Sequence, residues 1–258
     1  MMIRLFCMEC RRAFGNKLFA AAVFLMVLAE MLSSSWEITD MATGVDVMLD
    51  MLFSGTGSDV VLLMMFPLLP FAISYARDME EHALEFYMVR TNTVPFMTVR
   101  FITAIFSAFA CVVVSFIVFS VILLCMGHPL SQNTASSTEG YMEFMGSNTT
   151  LYLLCYTADR GLSAAMMAAC AMFMSVLYPH SFFAFTSPVC IYLLALRLVF
   201  PHEVVRTWLI PSSWVDGVYS SPSGGFATLL CKVGVAALVC LVYGGLSVLL
   251  AKRRWHYV

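Results

Sequence analysis

Long apolar runs alternate with short charged islands along this chain, and the runs have lengths that suit a bilayer. A membrane-spanning helix needs about 20 mostly apolar residues. Residues 18–36 qualify, with one interruption at Glu30 near the far end. Residues 60–76 qualify despite Pro67 and Pro70, which predict a kinked helix. Residues 101–127 carry no charged side chain and exceed the bilayer thickness, so this helix is expected to tilt or project. A run rich in Ala and Met covers 161–178. Residues 181–200 follow almost at once, with Arg197 near the end, where it can snorkel. Residues 230–251 close the set, with Lys232 near the start. The expectation is one all-α transmembrane domain over 1–258, with six spans.

The first sixteen residues follow a different pattern. Ile3, Phe6, Cys7, Cys10 and Phe14 recur at helical spacing, while Arg4, Glu9, Arg11 and Arg12 fall mostly off that face. This predicts an amphipathic elbow helix over 1–16, lying on the membrane surface with its apolar face in the lipid boundary. Basic residues then orient the spans. Arg4, Arg11, Arg12 and Lys17 precede the first span, Arg77, Arg90 and Arg100 lie between the second and third, and Lys252, Arg253 and Arg254 follow the sixth. Only Arg160, Arg197, Arg206 and Lys232 fall on the other side, so both termini are expected in the cytosol. Segment 37–59, acidic and without a base, is expected outside. So are the polar loop 128–150 and the loop 201–229, whose Pro211, Pro222, Gly224 and Gly225 favour turns. Asn148-Thr149-Thr150 is formally a glycosylation sequence on that side.

Composition agrees with the pattern. Hydrophobic residues make up 61% of the chain and charged residues 12%, about half the share of a soluble domain. Mean hydropathy is +0.87. The basic residues sit in small separated groups with no Lys/Arg stripe, which argues against nucleic-acid binding. Most of the nine cysteines fall in or beside apolar runs at irregular spacing and read as small hydrophobes. Cys7 and Cys10 form a lone C-x-x-C without the second pair or His cluster that zinc needs. No metal site is expected.

The charged island YARDMEEHALEFYMVRT, residues 75–91, stands between two greasy runs. Glu80–Glu81 raises the possibility of a catalytic pair, because some intramembrane proteases carry Glu-Glu followed four positions later by Arg. Here that position is Glu85, and the pair maps to the membrane boundary, not to mid-bilayer where a desolvated base is expected. No GxxxxGK[ST] phosphate loop exists, so any ATP would be bound by another chain. Ion-pathway chemistry would call for mid-span ionisable groups, whereas Glu30, Arg160, Arg197 and Lys232 all map near the outer boundary. Asp159–Arg160 reads as an interfacial anchor, with a local neutralised pair or an outer gate as the alternatives. Most Met and Phe residues read as packing or lipid-facing. Even so, Met64, Met65, Met166, Met167, Met172 and Met174 could form an adaptable wall for a greasy substrate. Ala164, Ala165, Ala168 and Ala169 permit close helix contact.

The arrangement resembles the membrane subunit of ABC-2-type exporters: an elbow helix, six spans, and a short cytosolic coupling helix, here 77–95, between spans two and three. That family usually carries an acidic residue, a Gly four positions on, a basic or Ser/Thr position about eight beyond, and a Lys near the start of helix three. Asp78, His82, Arg90 and Arg100 stand at those spacings, with His82 in place of Gly and Arg100 in place of Lys. The resemblance implies a non-enzymatic permease in a cell membrane, that of a bacterium. It implies pairing with a second permease, identical or related, and with two cytosolic ATPase subunits that bind ATP and Mg, leaving no cofactor in this chain. The ATPases would press on Asp78, Glu80, Glu81, His82, Glu85 and Arg90. Relatives export antimicrobial peptides, lantibiotics, antibiotics or lipids, some in self-immunity. The competing expectation is a membrane sensor or scaffold that recruits a cytosolic partner without transport.

Overall fold

The structure, a computed structural model, describes residues 2–35, 37–41, 43–54, 64–84, 92–130, 141, 148–197 and 225–255. Every regular element among them is helical. The helices are α1 (Met2–Phe14), α2 (Lys17–Ser33), α3 (Val45–Ser54), α4 (Ser74–Glu80), α5 (Thr93–Met126), α6 (Thr149–Leu177), α7 (Ser181–Arg197) and α8 (Gly225–Trp255), with 3-10 turns at Glu37–Thr39 and Phe66–Leu68. Three helices, α5, α6 and α8, are long and apolar enough to cross a membrane, and a fourth span results if α1 and α2 count as one bent unit.

Local chemistry explains most of the boundaries. Asn16 caps α2 by accepting from the Leu18 N–H at 3.2 Å, and Asn148 caps α6 by accepting from Leu151 at 3.3 Å. The Asn of the glycosylation sequence is thus a helix cap. Gly127 ends α5 at φ 97°, in the left-handed region where a glycine carries no Cβ penalty. At 34 residues, α5 is about 50 Å long at 1.5 Å per residue and begins well before the expected 101. Arg100 does not stop it, because that charge finds a partner inside the fold.

The expected span 60–76 is not one helix. Residues 60–63 lie outside the described set. From Phe66 onward the chain passes through a 3-10 turn, a further turn region and only then α4. Pro67 and Pro70 each remove an N–H from the ladder and crowd the preceding turn, so the helix is broken here and not merely kinked. The expected coupling helix 77–95 is interrupted: α4 stops at Glu80, His82 sits at φ 56°, and Ala83 and Leu84 are helical again, with 85–91 outside the described residues. A left-handed residue ends a helix. Glu85 and Arg90 lie outside the described residues, as do 198–200, Arg206 and nearly all of the polar loop. The segment 37–59, expected outside, contributes α3, whose Val45, Met48 and Leu49 are buried.

Packing centres on α6, which contacts α5, α7 and α8. In the most apolar stretch of each helix, α6 is 78% buried, α5 33% and α8 11%. Small residues make this closeness possible: Ala164, Ala165, Ala168 and Ala169 are all buried, and Gly161 faces the Phe109 ring. A Cβ on Gly161 would lie 2.7 Å from two ring carbons, whereas one on Gly245 would meet nothing within 4 Å. Gly161→Val is therefore expected to lower stability by about 1–3 kcal/mol through overpacking, with Gly245→Ala close to neutral. Thermal unfolding of the purified variants measures both, and equal melting temperatures would contradict the packing.

Candidate functional site

One end of the bundle gathers α1, α4, the start of α5, the end of α6, the start of α7 and the end of α8. This basic end holds the densest network of charged side chains. Arg12 from α1 forks onto Asp78 from α4: Nη1 donates to Oδ2 at 2.8 Å and Nη2 to Oδ1 at 2.5 Å. Arg100 from α5 donates through Nη2 to the same Oδ2 and through Nε to Ser74 Oγ at 3.2 Å. A single carboxylate therefore holds three helices.

The surroundings make this joint demanding. The side chains of Asp78 and Arg100 are fully buried, whereas that of Arg12 is 37% exposed. The Arg100 guanidinium lies 5.5–5.9 Å from the ring centres of Phe71, Tyr75 and Phe96, close enough for cation–π attraction. Burial by itself would raise the Asp78 pKa, but the hydrogen bonds and charges of Arg12 and Arg100 together outweigh it and hold the carboxyl below its ordinary value.

Glu9 on α1 was expected off the apolar face, toward water. It is 1% exposed instead, and its carboxyl makes no hydrogen bond among the described residues. Burial raises its pKa, and the opposing charges of Arg100 and Arg12 offset this only in part. Sequence spacing could have flagged it: Glu9 precedes Arg12 by three positions, so the two share a helix face.

The rest of the charged island divides. Glu80 is exposed but engaged within the chain: it accepts from the Ser181 N–H at 2.8 Å and from Ser181 Oγ, with His180 Nδ1 at 3.7 Å. An acid at the N-terminus of α7 satisfies orphan N–H groups and suits the helix dipole. The Ser181 hydrogen bonds pull the Glu80 pKa down. Glu81 and His82 are exposed, as are Arg4 and Arg11 on α1. Of the methionines expected along a substrate path, Met64 and Met167 sit in the larger core cluster, Met172 in a second one, and Met166 is buried; Met65 and Met174 are half-buried.

The opposite end holds a second network. Asp159 on α6 accepts from Lys232 Nζ on α8 at 2.5 Å and from the Tyr141 hydroxyl at 2.8 Å. The Asp159 and Lys232 side chains are almost completely buried. A local Asp159–Arg160 pair does not form, because adjacent residues on a helix point in different directions. Arg160 lies over the Tyr156 ring instead, 4.9 Å from its centre. Glu30 is enclosed among the helices, with no exposed surface. Among the described residues, no group of three or more His, Cys, Asp or Glu side chains is placed to hold a metal ion. All nine cysteines are free thiols.

No protein-family model, curated protein or solved structure matches this chain.

The two acids at the basic end should respond to pH in opposite ways. Asp78 binds its proton less tightly folded than unfolded. It stabilises the fold at neutral pH, and that contribution is lost as pH falls from the ordinary 3.8 through its lower folded value. Glu9 binds its proton more tightly folded, so its stabilisation is complete below the ordinary 4.5 and is lost as pH rises through the raised value. Asp78→Ala is expected to cost about 3–5 kcal/mol at neutral pH, because it strands the buried Arg100, and to cost less in acid. Glu9→Gln should raise the melting temperature at neutral pH and change little below pH 4.5. Melting curves of detergent-solubilised variants across pH decide both, and pH-independent differences would overturn the assignment.

Proposed function

We propose that this chain is the membrane-spanning permease subunit of an ABC-2-type exporter. It moves a hydrophobic or amphipathic substrate across a bacterial cell membrane with ATP hydrolysed by separate subunits. Two ATPase copies and a second permease, identical or related, complete the assembly. The observation that carries this reading is the three-way joint at Asp78. Its carboxylate ties the elbow helix, through Arg12, to the start of the third expected span, through Arg100. It stands four residues before a left-handed backbone at His82, the position where the resembling family has Gly. A Gly there suits φ > 0 without strain, which gives the family pattern a physical reason.

The contact surface for an ATPase is narrower than the charged island as a whole. Asp78 and Glu80 are engaged within the chain, whereas Glu81 and His82 are exposed; with the segment that follows, which carries Glu85 and Arg90, they form the surface proposed to meet a partner. Six spans with both termini in the cytosol belong to this proposal. They group α1, α4 and the basic end of α8 on the inner face, in keeping with the positive-inside rule.

The Glu81→Lys/Glu85→Lys variant should lose transport and recover several-fold less ATPase on copurification, with an unchanged melting temperature. Mass spectrometry of the copurified complex identifies the partners. A sensor or scaffold would yield a cytosolic partner without a Walker-A ATPase. Normal ATPase recovery together with normal transport in the double variant would defeat the proposal.

A further inference from the structure

At the basic end, the last turns of α6 and α8 lie side by side and enclose an open groove of about 310 Å³. Val176, Leu177 and Leu250 form its apolar wall, and Arg253 and Arg254 form its charged rim. Arg254 Nη1 donates to the Val176 carbonyl at 3.2 Å, which folds that side chain back across the groove. A guanidinium has five N–H donors, so four remain for another acceptor. Lys252 and Arg253 are exposed beside it, and no carboxylate among the described residues pairs with any of these three cations. Their position at the end of α8 suits its dipole but does not neutralise them.

The groove also continues onto a surface that suits an acyl chain. Leu246 and Leu249, one turn and less from Leu250, are 43% and 65% exposed on the outer face of α8. A cationic rim with an exposed aliphatic stripe on the preceding turn of the same helix matches an amphiphile with a negative head.

We propose that this groove binds an anionic phospholipid, with the phosphodiester against Arg253 and Arg254 and one acyl chain running from the Val176–Leu250 wall along Leu246 and Leu249. A free phosphate would use the guanidinium groups and leave the aliphatic wall unsatisfied. A choline headgroup would bring its quaternary ammonium toward Lys252, so zwitterionic lipid is disfavoured. The proposal requires only that α8 cross a membrane. Its failure would leave the exporter reading intact, and the reverse also holds.

The test uses the full chain in nanodiscs of phosphatidylcholine doped with phosphatidylglycerol, with retained lipid counted by native mass spectrometry. Wild type should retain phosphatidylglycerol over phosphatidylcholine by roughly thirtyfold, the scale set by two basic side chains at a membrane surface. Arg253→Gln/Arg254→Gln should abolish that preference. Arg253→Gln alone, which breaks no hydrogen bond, should reduce it without lowering the melting temperature. Arg4→Gln/Arg11→Gln, an equal charge loss on the exposed face of α1, should leave it unchanged. Displacement of the lipid by free glycerol 3-phosphate would assign the groove to a soluble phosphate and overturn the proposal. So would equal retention by the groove variants, or an equal loss in the α1 control.

Discussion

The buried guanidinium of Arg100 is the constraint on which the basic end depends. Arginine cannot shed its proton in a protein, so a fully enclosed guanidinium needs an anion beside it. Asp78 supplies the anion, Ser74 accepts from Nε, and three aromatic rings pack around the guanidinium. Because Asp78 also receives Arg12, neutralising one charge fixes the relative positions of α1, α4 and α5. The same pairing lets α5 begin at Thr93 and carry a charge into its buried length.

The apolar runs made most of the helices legible in advance, because burial in protein and burial in lipid call for the same side chains. They were less informative where two prolines stand three residues apart. Around Pro67 and Pro70 the composition still looks like a span, but the backbone lacks the donors to continue as one. The charged island was legible as a unit and not in its parts. Asp78, Glu80 and Glu81 share a short stretch of sequence, yet one points into the core, one caps α7 and one faces outward. The two arginines on Asp78 lie 66 and 22 residues away in the chain, and the serine on Glu80 lies 101 away. Nothing in local spacing indicates contacts at that range.

Near the opposite end, the local-pair alternative for Asp159 and Arg160 fails for a related reason. Asp159 and Arg160 look like a self-neutralising pair when read along the chain, but a helix sends neighbours about 100° apart. Asp159 instead pairs with Lys232 across the α6–α8 contact, so each end of the bundle is closed by a buried charge pair between different helices. Helix α6 takes part in the Asp159–Lys232 pair and forms the densely packed middle between the two ends, where small residues leave little room for sliding.

This distribution of stiffness bears on how the chain would move if it works as the permease proposed above. A displacement applied at Glu81 and His82 reaches Asp78 within one helical turn. Since one carboxylate holds both Arg12 and Arg100, α1 cannot follow the push without the start of α5 unless a buried charge is uncovered. Glu80, bound to Ser181, adds the start of α7 to the same group. In the proposed permease these elements would therefore move together as one lever. The compliant part then has to be the stretch between Phe66 and Ile73, where the backbone has left α-helix and the prolines have already removed the hydrogen bonds that bending would otherwise break.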